Sequence, residues 1–91
     1  MELNNLRSQI DSIDAELIAL FEKRMLLCAN IANYKKDQNL PIFVPGREEA
    51  VLARVTDLSN EEFSIYTQEL YLKIMELSKK YQQTIIANEV K

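Results

Sequence analysis

From about Asn5 to about Asp37 the chain contains neither glycine nor proline. Across this stretch Ile10, Ile13, Leu17, Leu20, Phe21, Leu27, Cys28 and Ile31 recur at helical spacing. A helix of ~33 residues is ~50 Å long at ~1.5 Å per residue. A compact fold of 91 residues has a radius of gyration of only ~12 Å and a diameter near ~30 Å. The helix therefore overshoots its own fold, and its apolar stripe continues along the overshoot. A second copy of the chain is the simplest cover for that stripe, which predicts an isologous homodimer around paired long helices.

The remainder of the chain is shorter-ranged. Both prolines, Pro41 and Pro45, and the single glycine, Gly46, cluster just after the long helix, which predicts a loop over 38–44. A short helix is expected from about Pro45 to about Asp57, with Val51, Leu52 and Val55 inward and Pro45 in its first turn. Ser59 and Glu62 have capping-box spacing, so a third helix is expected from about residue 60 to about 87, carrying Phe63, Tyr66, Leu70, Ile74, Tyr81 and Ile85. The reading is all-α: one domain over 1–91, with one long, one short and one long helix, intertwined in a homodimer.

Composition narrows the function classes. One cysteine and no histidine leave no intramolecular disulfide and no cysteine-based zinc site, and no metal site is expected. No apolar run reaches the ~20 residues of a membrane span, and no signal peptide is visible, so a cytoplasmic protein is expected. A net charge of −3 disfavours nucleic acid as partner. Any bound anion has to be met by cations placed locally.

Such cations occur where apolar residues belong. With Arg24 at zero on the first helix, Ile13, Leu17 and Ile31 fall within roughly 20°, and Ile10, Leu20 and Cys28 within about 40°. Lys35 lies about 20° away and ~16 Å along the axis. Two cations on one apolar line, with no acid between them, are costly unless an anion pairs with them. In the third helix Ser78 and Gln82 sit one turn apart among Tyr71, Ile74 and Ile85, and need hydrogen-bond partners there. Arg7 falls about 100° off the Arg24 line, out of reach of its own chain's cleft but within reach of a partner's in an antiparallel dimer. Each residue alone also has a bland reading: a core ion pair for Arg24, a lysine snorkelling from its helix end for Lys35, a complement to the helix dipole for Glu48 and Glu49. The combination favours an anion-binding cleft.

The order and spacing of these residues resemble a known family. Leu6-Arg7-x-x-Ile10-Asp11-x-Ile13-Asp14-x-x-Leu17, then Arg24, then Ile31-Ala32-x-x-Lys35 is similar to the first helix of the all-helical chorismate mutases. Pro41-Ile42, Arg47-Glu48 and Val51-Leu52 resemble their loop and second helix. Ile74-Met75-Glu76-x-Ser78-x-x-x-Gln82 resembles the end of their third. The resemblance implies a homodimer that rearranges chorismate to prephenate, with no cofactor, in phenylalanine and tyrosine biosynthesis. It implies that Arg24 binds one substrate carboxylate while Arg7 of the other subunit helps bind the second. Lys35 and Gln82 are implied to donate to the ether oxygen, Glu48 to accept from the ring hydroxyl, Ser78 to contact the ring end, and Arg47 to support the site.

One position departs from the family pattern. Val44 stands where the family often has an aspartate able to cap the second helix, a cap whose loss costs ~1 kcal/mol, offset in part by Pro45. At Val44 a substrate contact would have to come from the backbone N–H. Two rival readings remain: an isochorismate–pyruvate lyase on the same scaffold, towards which Val44 leans, and a non-catalytic dimerisation module that senses chorismate or prephenate.

Overall fold

The computed structural model describes residues 2–89, with side chains described as far as residue 87; Met1, Val90 and Lys91 lie outside it. The first helix, α1, spans Glu2–Asp37, starting a few residues before the expected Asn5. Its C-terminus is closed by a left-handed residue. Asn39 has φ 58°, its N–H donates to the Lys36 carbonyl at 3.2 Å, and the Leu40 N–H donates to the Lys35 carbonyl at 2.7 Å. This is the paired 6→1 and 5→2 arrangement of a Schellman end, with asparagine in place of the usual glycine. It stops α1 at Asp37, just past Lys35 and Lys36, and turns the chain back.

The second helix, α2, spans Arg47–Leu58, two residues later than expected. Pro45 is not in its first turn. It lies in a turn closed by the Arg47 N–H on the Val44 carbonyl at 3.1 Å, and Gly46 is the N-cap, at φ 86°. A left-handed backbone explains why glycine stands there. Residue 44 therefore precedes the cap by two positions, and the expected capping cost of Val44 does not arise.

The capping box at Ser59 and Glu62 does not form either. The Ser59 hydroxyl lies 3.0 Å from the Asn60 carbonyl and 3.0 Å from the Thr67 hydroxyl. A 3₁₀ turn, Glu61–Phe63, intervenes before the third helix, α3, which spans Ser64–Glu89. No strand occurs among the described residues, so the fold is all-α as expected. No helix among them is long and apolar enough to cross a membrane.

The third helix packs along both other helices. Val51, Val55 and Met75 form the buried cluster, with Leu52 and Tyr71 against it. Cys28 and Ala32 are the buried residues of α1. The molecule measures 55 × 28 × 14 Å, with a radius of gyration of 16.6 Å. A helix with side chains is about 10–12 Å across, so the chain is a single layer of helices. Along α1 the layer leaves Ile10, Ile13, Leu17 and Leu20 exposed, Leu17 at 56%. Phe63 in the 3₁₀ turn and Tyr66 and Leu70 on α3 are exposed as well. The periodicity identified these stripes correctly, but nothing in one chain covers them.

Candidate active site

The three helices and the 38–46 segment enclose a cleft of about 310 Å³, at the lower end of the roughly 300–1,000 Å³ range of small-molecule sites. Arg24 and Lys35 reach it from α1, Arg47 and Glu48 from the start of α2, Ser78, Lys79 and Gln82 from α3, and Phe43 and Val44 from the loop. Cys28, Ile31, Val51 and Met75 form its apolar wall. Seven of the eight residues singled out in the sequence thus line one cavity. The exception is Arg7. It is exposed on α1, seventeen residues before Arg24 and so ~25 Å along the axis, and does not line this chain's cleft.

Arg24 and Lys35 are each held by a definite contact. Nη1 of Arg24 donates to the Ser78 hydroxyl at 3.0 Å, and that hydroxyl lies 2.9 Å from the Ile74 carbonyl, to which it donates. The Arg24 guanidinium also lies 5.8 Å from the centre of the Tyr71 ring, a cation–π distance. Ser78 therefore has a visible task in a buried position (5% exposed): it orients the arginine across the α1–α3 interface. Nζ of Lys35 donates to the Ile42 carbonyl at 2.8 Å. The Schellman turn makes that bond possible by folding Pro41 and Ile42 back beside the end of α1. An ammonium has three N–H donors, so two remain for a ligand.

Charge is unevenly distributed. Four cations, Arg24, Lys35, Arg47 and Lys79, face one carboxylate, Glu48. That carboxylate is already paired with Lys79, Nζ to Oε2 at 3.0 Å. Among the described residues no carboxylate pairs with Arg24, Lys35 or Arg47. Gln82 is buried (9% exposed), and its Oε1 has no hydrogen-bond partner among the described residues. An unpaired buried amide oxygen costs about 1–3 kcal/mol. Arg24 and Lys35 without anions fit an anionic ligand; the Gln82 Oε1 is an acceptor and needs a donor, while the Nε2 of the same amide is the atom that can donate to a ligand oxygen. At the loop end, the Val44 N–H likewise has no backbone acceptor among the described residues.

The family model for chorismate mutase type II matches residues 6–83. The chain belongs to that family. Among its relatives, the T-protein of Haemophilus influenzae is 50% identical over 50 residues, covering 55% of this chain and 13% of that protein. The bifunctional chorismate mutase/prephenate dehydratase of Aquifex aeolicus is 36% identical over 74 residues, 80% of this chain and 20% of that one. The chain therefore spans a fifth or less of the length of these two relatives. In three dimensions it matches a conserved hypothetical protein from Pyrococcus furiosus, with a TM-score of 0.75 and 40% identity over 90% of this chain and 96% of that one.

Within this chorismate mutase type II fold, sequence reasoning missed Lys79 and Phe43. Lys79 is about 100° from Ser78 on the helical wheel and resembles an ordinary solvated lysine of α3. Phe43 sits in a loop, where no periodicity marks a facing direction. Their role depends on how α2 and the loop lie against α3, which no local pattern carries.

Proposed function

We propose that this chain is a chorismate mutase that rearranges chorismate to prephenate within aromatic amino acid biosynthesis, acting as a cytoplasmic homodimer. The observation that carries the reading is that two anion-free cations, Arg24 and Lys35, and the buried amide of Gln82 converge on one small cleft. In this reading Arg24 clasps one carboxylate of the substrate through its planar fork. Lys35 and Gln82 donate to the ether oxygen, Glu48 accepts from the ring hydroxyl, and the Val44 N–H supplies the remaining donor at that end. Arg47 adds positive charge beside Glu48, and Ser78 keeps Arg24 in place at the ring end.

The rearrangement breaks a C–O bond while a C–C bond forms within one molecule. It needs no proton, hydride or covalent intermediate, and so no cofactor. The site has two tasks: to hold a flexible dianion in its reactive conformer, and to stabilise negative charge growing on the ether oxygen. Lys35 is suited to the second task because its bond to Ile42 fixes the ammonium before the substrate arrives.

The dimer reading is supported by the exposed stripe of Ile10, Ile13, Leu17 and Leu20 and by the single-layer shape. A second copy lying antiparallel along α1 covers the stripe and carries its Arg7 towards this chain's cleft. The second carboxylate of the substrate is then bound across the interface. Buried and free, Cys28 fits a reducing compartment.

Incubation with chorismate, followed by absorbance and by chromatographic identification of the product, tests the assignment. Prephenate is expected. Val44 in place of aspartate favours one rival, the isochorismate–pyruvate lyase, and salicylate and pyruvate released from isochorismate would select it. Binding of chorismate without turnover of either compound would select the sensing module.

A further inference from the structure

Glu48 is the cleft's one acid, and it does not face the ligand alone. Lys79 holds its Oε2 at 3.0 Å, and the same ammonium lies 5.8 Å from the centre of the Phe43 ring. Lys79 is thus fixed from two sides, by a carboxylate of α2 and by an aromatic face of the loop. Both Glu48 and Phe43 line the cleft, as does Lys79 itself.

A free carboxylate at this position would accept from a neutral hydroxyl, but it would prefer an ammonium, since charge-assisted hydrogen bonds are about twice as strong as neutral ones. The Lys79 pair reverses that preference. It neutralises Glu48 while leaving Oε1 as an acceptor, because a carboxylate has about four lone-pair sites. A hydroxyl binds to Oε1 without electrostatic penalty. An ammonium on the same carboxylate stands a few ångströms from the Lys79 ammonium, with Arg47 adding the same sign nearby.

We infer that Lys79 is a specificity-determining residue: by occupying Glu48 it selects a ring hydroxyl and rejects substrates that carry a protonated amine at that place. The inference rests on the chorismate reading above and extends it to substrate choice. Two like charges ~4 Å apart repel enough to shift an equilibrium roughly fivefold in a water-like medium, and several hundredfold where the effective dielectric is ~20. The pair is partly solvated, with side chains 39% and 32% exposed, so a discrimination of about tenfold is expected.

The test compares kcat/KM for chorismate with kcat/KM for the analogue bearing an amino group in place of the ring hydroxyl, at slightly acid pH where the amine is protonated. Wild type, Lys79→Met and Lys79→Arg are measured in low and in high salt. The ratio of the two values is expected to fall about tenfold in Lys79→Met and to be retained in Lys79→Arg. In wild type it narrows as salt screens the partly exposed charges. A structural role for Lys79 would lower both values together and leave the ratio alone. Should Lys79→Met lose its helical circular dichroism, Lys79→Gln carries the same comparison. Wild type that converts chorismate, with a ratio unchanged in the neutral variant, overturns the inference alone. Wild type that converts neither compound overturns the chorismate reading, and the inference with it.

Discussion

Replacing Arg24 with methionine separates binding from folding. In the free protein its guanidinium has one hydrogen bond, to Ser78 at 3.0 Å, and one aromatic contact, to Tyr71 at 5.8 Å. A hydrogen bond to a charged group contributes about 1.5–3 kcal/mol and a partly exposed cation–π contact about 0.5–1 kcal/mol. Against these stands the desolvation of a half-buried cation with no carboxylate partner among the described residues, a penalty of several kcal/mol for full burial and less here. The two sides nearly cancel. Methionine refills the volume of the arginine stem, and the Ser78 hydroxyl keeps its bond to the Ile74 carbonyl. Stability is therefore expected to change by no more than about 1 kcal/mol, within ~8 °C in melting temperature for a domain of this size. Turnover behaves otherwise. Losing one member of a desolvated arginine–carboxylate pair costs about 3–5 kcal/mol, or roughly 10²–10³-fold and more in kcat/KM. Thermal melts and chorismate-depletion kinetics on the same preparation read both quantities. A variant that stays folded with kcat/KM within about tenfold of wild type would refute Arg24 as the carboxylate clamp.

The remaining expectations are narrower. Gln82→Leu removes the buried unpartnered Oε1 without leaving a cavity, so urea midpoints should hold steady or rise while kcat falls about 100-fold; a large loss of stability would show that the amide is structural. Arg7→Ala and Arg24→Ala subunits, each inactive alone, should regain activity when mixed, and a mixture that stays inactive after proven subunit exchange would exclude a site shared across the dimer. Gly46→Ala meets no atom within 4 Å, so its cost is that of the left-handed backbone alone, about 1–2 kcal/mol, seen as a melting temperature lower by roughly 4–16 °C.

Much of the fold was legible along the chain because helices advertise themselves locally. An apolar residue every three or four positions needs no knowledge of its neighbours in space, so α1 and the inward-facing Arg24, Lys35, Ser78 and Gln82 followed from spacing alone. The same locality explains the errors. Ser59 and Glu62 have the spacing of a capping box, but the Ser59 hydroxyl instead lies against Asn60 and Thr67, because the chain first makes a 3₁₀ turn. Pro45 has the backbone of a helix start, but Gly46 takes the cap in a conformation that few other residues adopt.

By itself, the sequence determined an all-helical chain with a long first helix, a break at the prolines, and cations and amides on stripes otherwise apolar. Only the tertiary structure decided what those groups touch. Asn39 turns the chain so that the Ile42 carbonyl anchors Lys35, Ser78 aims Arg24, and the approach of α2 to α3 makes Lys79 the partner of Glu48. The physical reason is one of range. Which face a residue occupies follows from the geometry of one helix, whereas its partner depends on how separate elements cross, and that is settled by packing the whole layer together.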